Sequence, residues 1–189
     1  MRRHPAAEYA EAILVAVLLA LFTKAFVFEA FAIPSGSMQP ALVPGDHVLV
    51  DKFVHAPHSG PWAALLPYRD VARGEVLVFR GPEDPALDLI KRVAGLPGET
   101  FAPEDRSSPL TLGTASYFMM GDNRDDSRDS RFWGPLPAPL VKGRAILVYW
   151  SYEPGRGFAG RGAALRKLVD TAIHFFGRTR WGRTFHLVR

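Results

Sequence analysis

No cysteine occurs anywhere in the 189 residues. That excludes a disulfide, a thiolate zinc site and a cysteine nucleophile, although it does not exclude an exported location. Histidine is scarce too. His4, His47, His55, His58, His174 and His186 show neither His-Glu-x-x-His spacing nor a triad pattern, so each reads as a surface or core histidine. The acidic run DNRDDSRDSR (122–131) lacks the glycine and terminal glutamate of a calcium loop. Its own arginines supply ion-pair partners, and it reads as ionic scaffolding. GRGFAG at 155–160 matches a dinucleotide fingerprint, but only 29 residues follow it, too few for the βαβ series that such a site requires. There is no nucleic-acid motif, internal repeat or low-complexity tract. The expectation is a protein with no metal, no cofactor and no nucleic-acid partner.

What is present is a folded composition: 48% hydrophobic and 22% charged residues, with sixteen prolines and seventeen glycines. Such a chain buries a real core and favours short strands and turns over a helical bundle. The net charge of +4 is uneven. Residues 150–189 carry Arg or Lys at 156, 161, 166, 167, 178, 180, 183 and 189 against only Glu153 and Asp170. This tail suits proximity to anionic lipid, or is simply a solvated basic face.

One greasy run stands out, AILVAVLLALF at 12–22, behind Arg2 and Arg3. With Ala30-Phe31-Ala32 it has the layout of a cleavable signal peptide. The apolar character also continues to Ile33 past Lys24 and Glu29, and a helix over 12–33 would span about 33 Å, enough for a bilayer core. The residues alone leave both readings open. In either, the arginines favour a cytoplasmic amino end.

Beyond it, alternation predicts strands at 46–54, 75–80, 89–96, 114–122 and 144–152, and no long helix over 40–152. That is a mainly antiparallel β domain. Residues 163–176, AALRKLVDTAIHFF, form an amphipathic helix too short to span a bilayer, of the kind that ordinarily packs on its own domain. The loop at 55–70 holds Trp62, Leu65 and Leu66, suited either to a membrane interface or to the core.

The chemistry left is that of serine and lysine. A serine hydroxyl needs a base, and a lysine serves only when neutral, about one molecule in 2,500 at pH 7 for an ordinary lysine. It must be buried on a strand, away from carboxylates. Lys91, after Leu89 and Ile90 and before Val93, fits, with Arg92 on the opposite face. Most strand lysines are exposed, however, and spacing does not bring Lys91 to any serine.

Four stretches together resemble the type I signal peptidases, membrane-bound Ser/Lys proteases. They are IPSGSMQPAL (33–42), PGDHVLVDKF (44–53), RGEVLVFRGPEDPALDLIKRVAGLPGE (73–99) and GDNRDDSRDSRFWGPLP (121–137), in the family's order behind an apolar segment. The resemblance implies Ser37 as nucleophile, Lys91 as general base, and Ser35 with the Ser37 backbone N–H as oxyanion hole. It implies Ser127 as the group orienting the lysine, with Asp129 and Arg131 in support and Asp122, Asn123 and Arg124 opening that block. Phe31, Ile33, Leu42, Val78, Asp88 and Ile90 would line or edge pockets for small residues of an A-x-A cleavage site. The partners implied are exported preproteins and membrane lipid.

The implied organisation is a short cytoplasmic segment (1–10), a retained transmembrane anchor (11–31), an extracytoplasmic catalytic β domain (32–154) and a basic tail with the amphipathic helix (155–189). Only residues 100–116 separate LPGE from YFMMGD, so the larger subdomain of many members is missing. Rival readings are another Ser/Lys protease, such as a self-cleaving repressor, or an inactive anchored binding protein.

Overall fold

The computed structural model describes residues 5–52, 70–102, 109–153 and 163–188. The loop carrying Trp62, Leu65 and Leu66 and the GRGFAG stretch lie outside them. Helix α1 (Pro5–Phe22) gives way to a single wide turn at Thr23–Val27 and then to strand β1 (Phe28–Ala32). The helix expected to continue to Ile33 therefore stops eleven residues early. The backbone of Phe28–Ala32 instead pairs along its whole length with β2 (Asp46–Asp51), Phe28 opposite Asp51 and Ala32 opposite His47. The alternation FEAFA, indistinguishable from a helix end by hydrophobicity alone, serves a strand. Among the described residues no helix is long and apolar enough to cross a membrane.

The remaining strands are β3 (Val76–Arg80), β4 (Asp88–Gly95), β5 (Thr100–Phe101), β6 (Leu110–Thr111), β7 (Ser116–Met120), β8 (Leu136–Pro137), β9 (Val141–Ser151) and β10 (His186–Leu187). Helix α2 (Ser130–Trp133) is a single turn, and α3 spans Ala163–Arg178. The main sheet runs β1-β2-β9-β3-β4-β7-β8, with β10 added to β9, while β5 and β6 pair separately. Every pairing is antiparallel, as the alternating pattern predicts.

Strand β3 is buried on both faces. Val76 and Val78 join Ile33, Met38, Leu42, Val48 and Val50 in one cluster. Leu77 and Phe79 join Val93, Met119 and Leu136 in the other. Two packed faces explain why VLVF reads as a continuous apolar run. They also make the β3–β4 hairpin a rigid platform, with Lys91 directly opposite Leu77.

Candidate active site

Ser37 lies in the loop between β1 and β2, and that loop is pinned at both ends. Ile33 N donates to Asp46 O at 2.8 Å, and Gly45 N returns a bond to Ile33 O at 2.9 Å. Met38 and Leu42 are fully buried and spike the loop into the core. Beneath it the buried Asp46 carboxylate accepts from Val43 N, Ser151 Oγ and both ends of the Arg183 guanidinium. Burial alone would raise the Asp46 pKa, but Arg183, Ser151 and the Val43 amide hold it below the ordinary carboxylate value. Arg183 also bonds Ala41 O at 2.9 Å, and Arg180 bonds Pro44 O at 3.0 Å.

Across this loop, 54 residues away in sequence, Lys91 Nζ lies 2.6 Å from Ser37 Oγ. The lysine is only 4% exposed. Burial lowers its pKa, against an opposing pull from Asp129 and a smaller one from Asp122. Two carboxylates therefore do stand near the lysine, contrary to the expectation of none. Neither is free to neutralise it. Asp129 is bonded by Arg131 Nε at 2.9 Å and Nη2 at 3.1 Å, and Asp122 is gripped by Arg92 at 2.7 and 2.6 Å. Arg92 does point away from the lysine, as strand alternation requires.

The segment after β7 closes the site. Asp129 caps α2 and accepts from Gly121 N at 2.9 Å and from Ser127 Oγ at 2.8 Å. Its burial, which would raise its pKa, is outweighed by bonds from Arg131, Gly121 and Ser127, and the net direction is down. Asn123 N donates to Ser37 O at 3.1 Å and Asn123 Nδ2 to Gly36 O at 3.2 Å. The run at 122–131 thus is ionic scaffolding, although Arg92 and Glu83 from elsewhere complete its pairs.

Ser35 Oγ is 3.5 Å from Ser37 Oγ, exposed on the same side. Ser35, Ser37 and Lys91 thus form one bonded group and Ser127, Asp129 and Arg131 another, and the charge of Asp129 reaches Lys91. The predicted pocket residues also converge: Ile33, Leu42 and Val78 are buried in a single cluster with Phe31 and Ile90 packed on it. Asp88 joins through Lys142, which bonds it at 2.7 Å and stands 5.7 Å over the Phe31 ring. A separate cavity of about 160 Å³ opens beside the β3–β4 hairpin against Leu87, Leu89, Arg128 and Trp133. None of the predicted pocket residues lines it.

Sequence reasoning missed four parts of this machinery. Met38 belongs to the same apolar cluster, and the Asn123 clamp and the Arg183–Asp46 tie are contacts between distant segments. For Gly121 a signal was present, because it opens the GDNR block. A Cβ there would lie 2.2 Å from Ser127 Oγ and 2.5 Å from Ser37 O.

The sequence matches the family described as "Signal peptidase, peptidase S26" over residues 6–107 and 103–150. The chain belongs to that family. Its activity is accordingly that of a signal peptidase, a serine endopeptidase that removes signal peptides from preproteins. It is 32% identical to a signal peptidase I of Pseudomonas aeruginosa, over 77% of this chain and 72% of that one. It is 30% identical to mitochondrial ATP-independent inner membrane protease subunit 1b of Arabidopsis thaliana, over 62% and 67%. A crystal structure of a signal peptidase I from Enterococcus faecalis superposes with a TM-score of 0.34 at 22% identity, covering 40% of this chain and 97% of that one.

Proposed function

We propose that Ser37 is the nucleophile and Lys91 the general base of this peptidase, with Ser35 Oγ and the Ser37 N–H as oxyanion donors. The observation that carries the assignment is the 2.6 Å contact between a buried lysine amine and a half-buried serine hydroxyl. When the amine is neutral, the hydroxyl donates to Nζ. As Oγ bonds the scissile carbonyl carbon, its proton passes to Nζ and the carbonyl electron pair moves onto the oxygen. Collapse breaks the C–N bond, and the ammonium returns a proton to the departing amine. Water then attacks the acyl ester with Lys91 again the base, and Ser37 leaves reprotonated.

The substrate lies extended along free strand edges. Among the described residues strand β1 ends the sheet, and Asp88–Lys91 pair with β3 alone, since β7 ends, at Met120, opposite Arg92. Phe31 and Ile90 form the accessible wall, while Ile33, Leu42 and Val78 are the floor beneath, leaving room for small side chains and little more. This supports cleavage after an A-x-A sequence.

Anchoring follows from the amino-terminal segment. Ile13, Val15, Val17, Leu18 and Leu19 point to different sides of α1 and are all exposed, so the helix buries none of them in the domain. With the turn at Thr23–Val27, the segment extends about 30 Å, the thickness of a hydrocarbon core. Arg2 and Arg3 set the amino end in the cytoplasm and the β domain outside. The test is cleavage of a purified A-x-A preprotein by the membrane fraction that resists alkaline extraction. Wild type cuts, and Ser37→Ala and Lys91→Ala do not; undiminished cleavage by either variant overturns the dyad.

A further inference from the structure

The apolar floor beneath the cleft ends in a charge. Lys142, on β9, donates to Asp88 Oδ2 at 2.7 Å, and its ammonium stands 5.7 Å from the centre of the Phe31 ring. Phe31 belongs to β1 and Asp88 opens β4. One lysine from a third strand thus meets both edges between which an extended substrate lies. Its surroundings on the Phe31 side are aliphatic, since Phe31 packs on the cluster of Ile33, Leu42 and Val78. The Lys142 and Asp88 side chains remain 25% and 30% exposed. Water still reaches the pair, and a substrate side chain laid over it takes that water's place.

The pair has a definite place along the cleft. Asp88 precedes Lys91 by three residues, about 10 Å on a strand. Strand β4 is covered by β7 from Arg92 onward, so a chain held on the free edge with its reacting carbonyl at Ser37 runs back from Lys91 towards Asp88. In an extended chain alternate side chains share a face, about 7 Å apart. The first and third residues before the cut therefore point to the same floor, and the third is the one that arrives at Asp88 and Lys142.

We propose that Lys142 sets the choice of side chain at the third residue before the cut, favouring a small hydroxyl over an apolar branch of the same size. The register rests on the Ser37–Lys91 reading above. An ammonium has three donors and accepts nothing. Asp88 takes one, and the face of the Phe31 ring is within reach of the charge. A threonine hydroxyl accepts another and replaces the lost water. Valine has the same shape with a methyl group there, so it strips water from the ion pair and returns no bond. A floor of Ile33, Leu42 and Val78 alone would sort the two the other way, because an aliphatic pocket prefers the methyl. The ratio of Thr to Val cleavage therefore reads the influence of Lys142 with size held constant.

The full chain in detergent micelles is assayed on one signal-sequence peptide carrying Ala, Thr or Val at the third residue before the cut. The expected kcat/KM favours Thr over Val by about tenfold, the scale of one group gained or lost in a pocket. Lys142→Met should reverse that order, and Lys142→Arg, which keeps the charge, should retain it. A residue that merely holds the fold would slow all three peptides alike. Equal or faster cleavage of the Val peptide by wild type overturns the proposal, and so does a Thr-to-Val ratio that Lys142→Met leaves unmoved. The wild-type ratio decides even if Lys142→Met unfolds in an accompanying melt. Ser37→Ala is run beside them. Cleavage that survives it unseats the dyad and the register together, whereas a flat ratio in an enzyme that Ser37→Ala silences unseats only the role of Lys142.

Discussion

The Ser127 hydroxyl gives its one proton to Asp129 Oδ2 at 2.8 Å. Its oxygen can then only accept from other groups, the role proposed for it toward an N–H of the lysine amine. Ser127→Ala should leave the fold intact and let the amine rotate off the line to Ser37. The expected cost is about 10²-fold in kcat, the scale of a small misplacement of a reacting group. KM for a signal-sequence peptide should hardly move. Steady-state kinetics separate the two.

Asp129 does two things at once. It satisfies Arg131 and the α2 amino end, and its charge pulls the Lys91 pKa upward against burial. Asp129→Ala leaves Arg131 without its carboxylate and should cost about 3–5 kcal/mol in a denaturant melt, the scale of a broken buried pair. The wild-type contribution has a definite sign. The folded pKa lies below the unfolded one, so the stabilisation is present above the ordinary carboxylate value and is lost as pH falls through the depressed folded value. Asp129→Asn should flatten that acid limb. It should also shift the acid limb of cleavage to lower pH, since one of the charges holding the proton on Lys91 is gone.

Gly121→Ala should be disproportionately damaging for one methyl group. The added carbon meets Ser127 and the Ser37 carbonyl at once, and neither is the free end of a flexible chain. A loss of about 1–3 kcal/mol in stability is expected from overpacking. Activity should be lost almost completely, because both groups it displaces belong to the site. A melt and a cleavage assay on the same preparation check both.

Lys91→Met should abolish cleavage and yet raise stability. Below its folded pKa the lysine is charged and buried, a cost that methionine avoids, and the gain should be about 1–3 kcal/mol near neutral pH. Because the folded pKa is lowered, that cost fades as pH rises from the folded value and is gone above the ordinary lysine value. The melts of the two proteins should therefore converge at high pH.

How much of this was legible beforehand depends on the residue. The five main strands are visible as alternation or as apolar runs, and their antiparallel arrangement follows from the lack of intervening helices. Strand β1 was hidden because FEAFA carries hydrophobicity across the junction from α1, and only pairing with β2 tells strand from helix. The dyad needed more than local pattern. Lys91 looks like any strand lysine until the hairpin β3–β4 faces the loop of Ser37, and only the order of distant motifs pointed to that meeting. The clamps by Asn123 and Arg183 are side-chain bonds across 87 and 137 positions in sequence, invisible to any window. For α3 the pattern shows an apolar stripe but not that Val169, Ile173 and Phe176 stand exposed.

The most direct measurement is of the proton itself. With lysine side chains isotopically labelled, the Lys91 Nζ resonance can be followed by NMR against pH beside those of Lys24, Lys52, Lys142 and Lys167. The account predicts that Lys91 titrates below the ordinary lysine value and that the acid limb of preprotein cleavage coincides with its titration. A Lys91 amine that stays charged across the pH range where cleavage runs at full rate would contradict it.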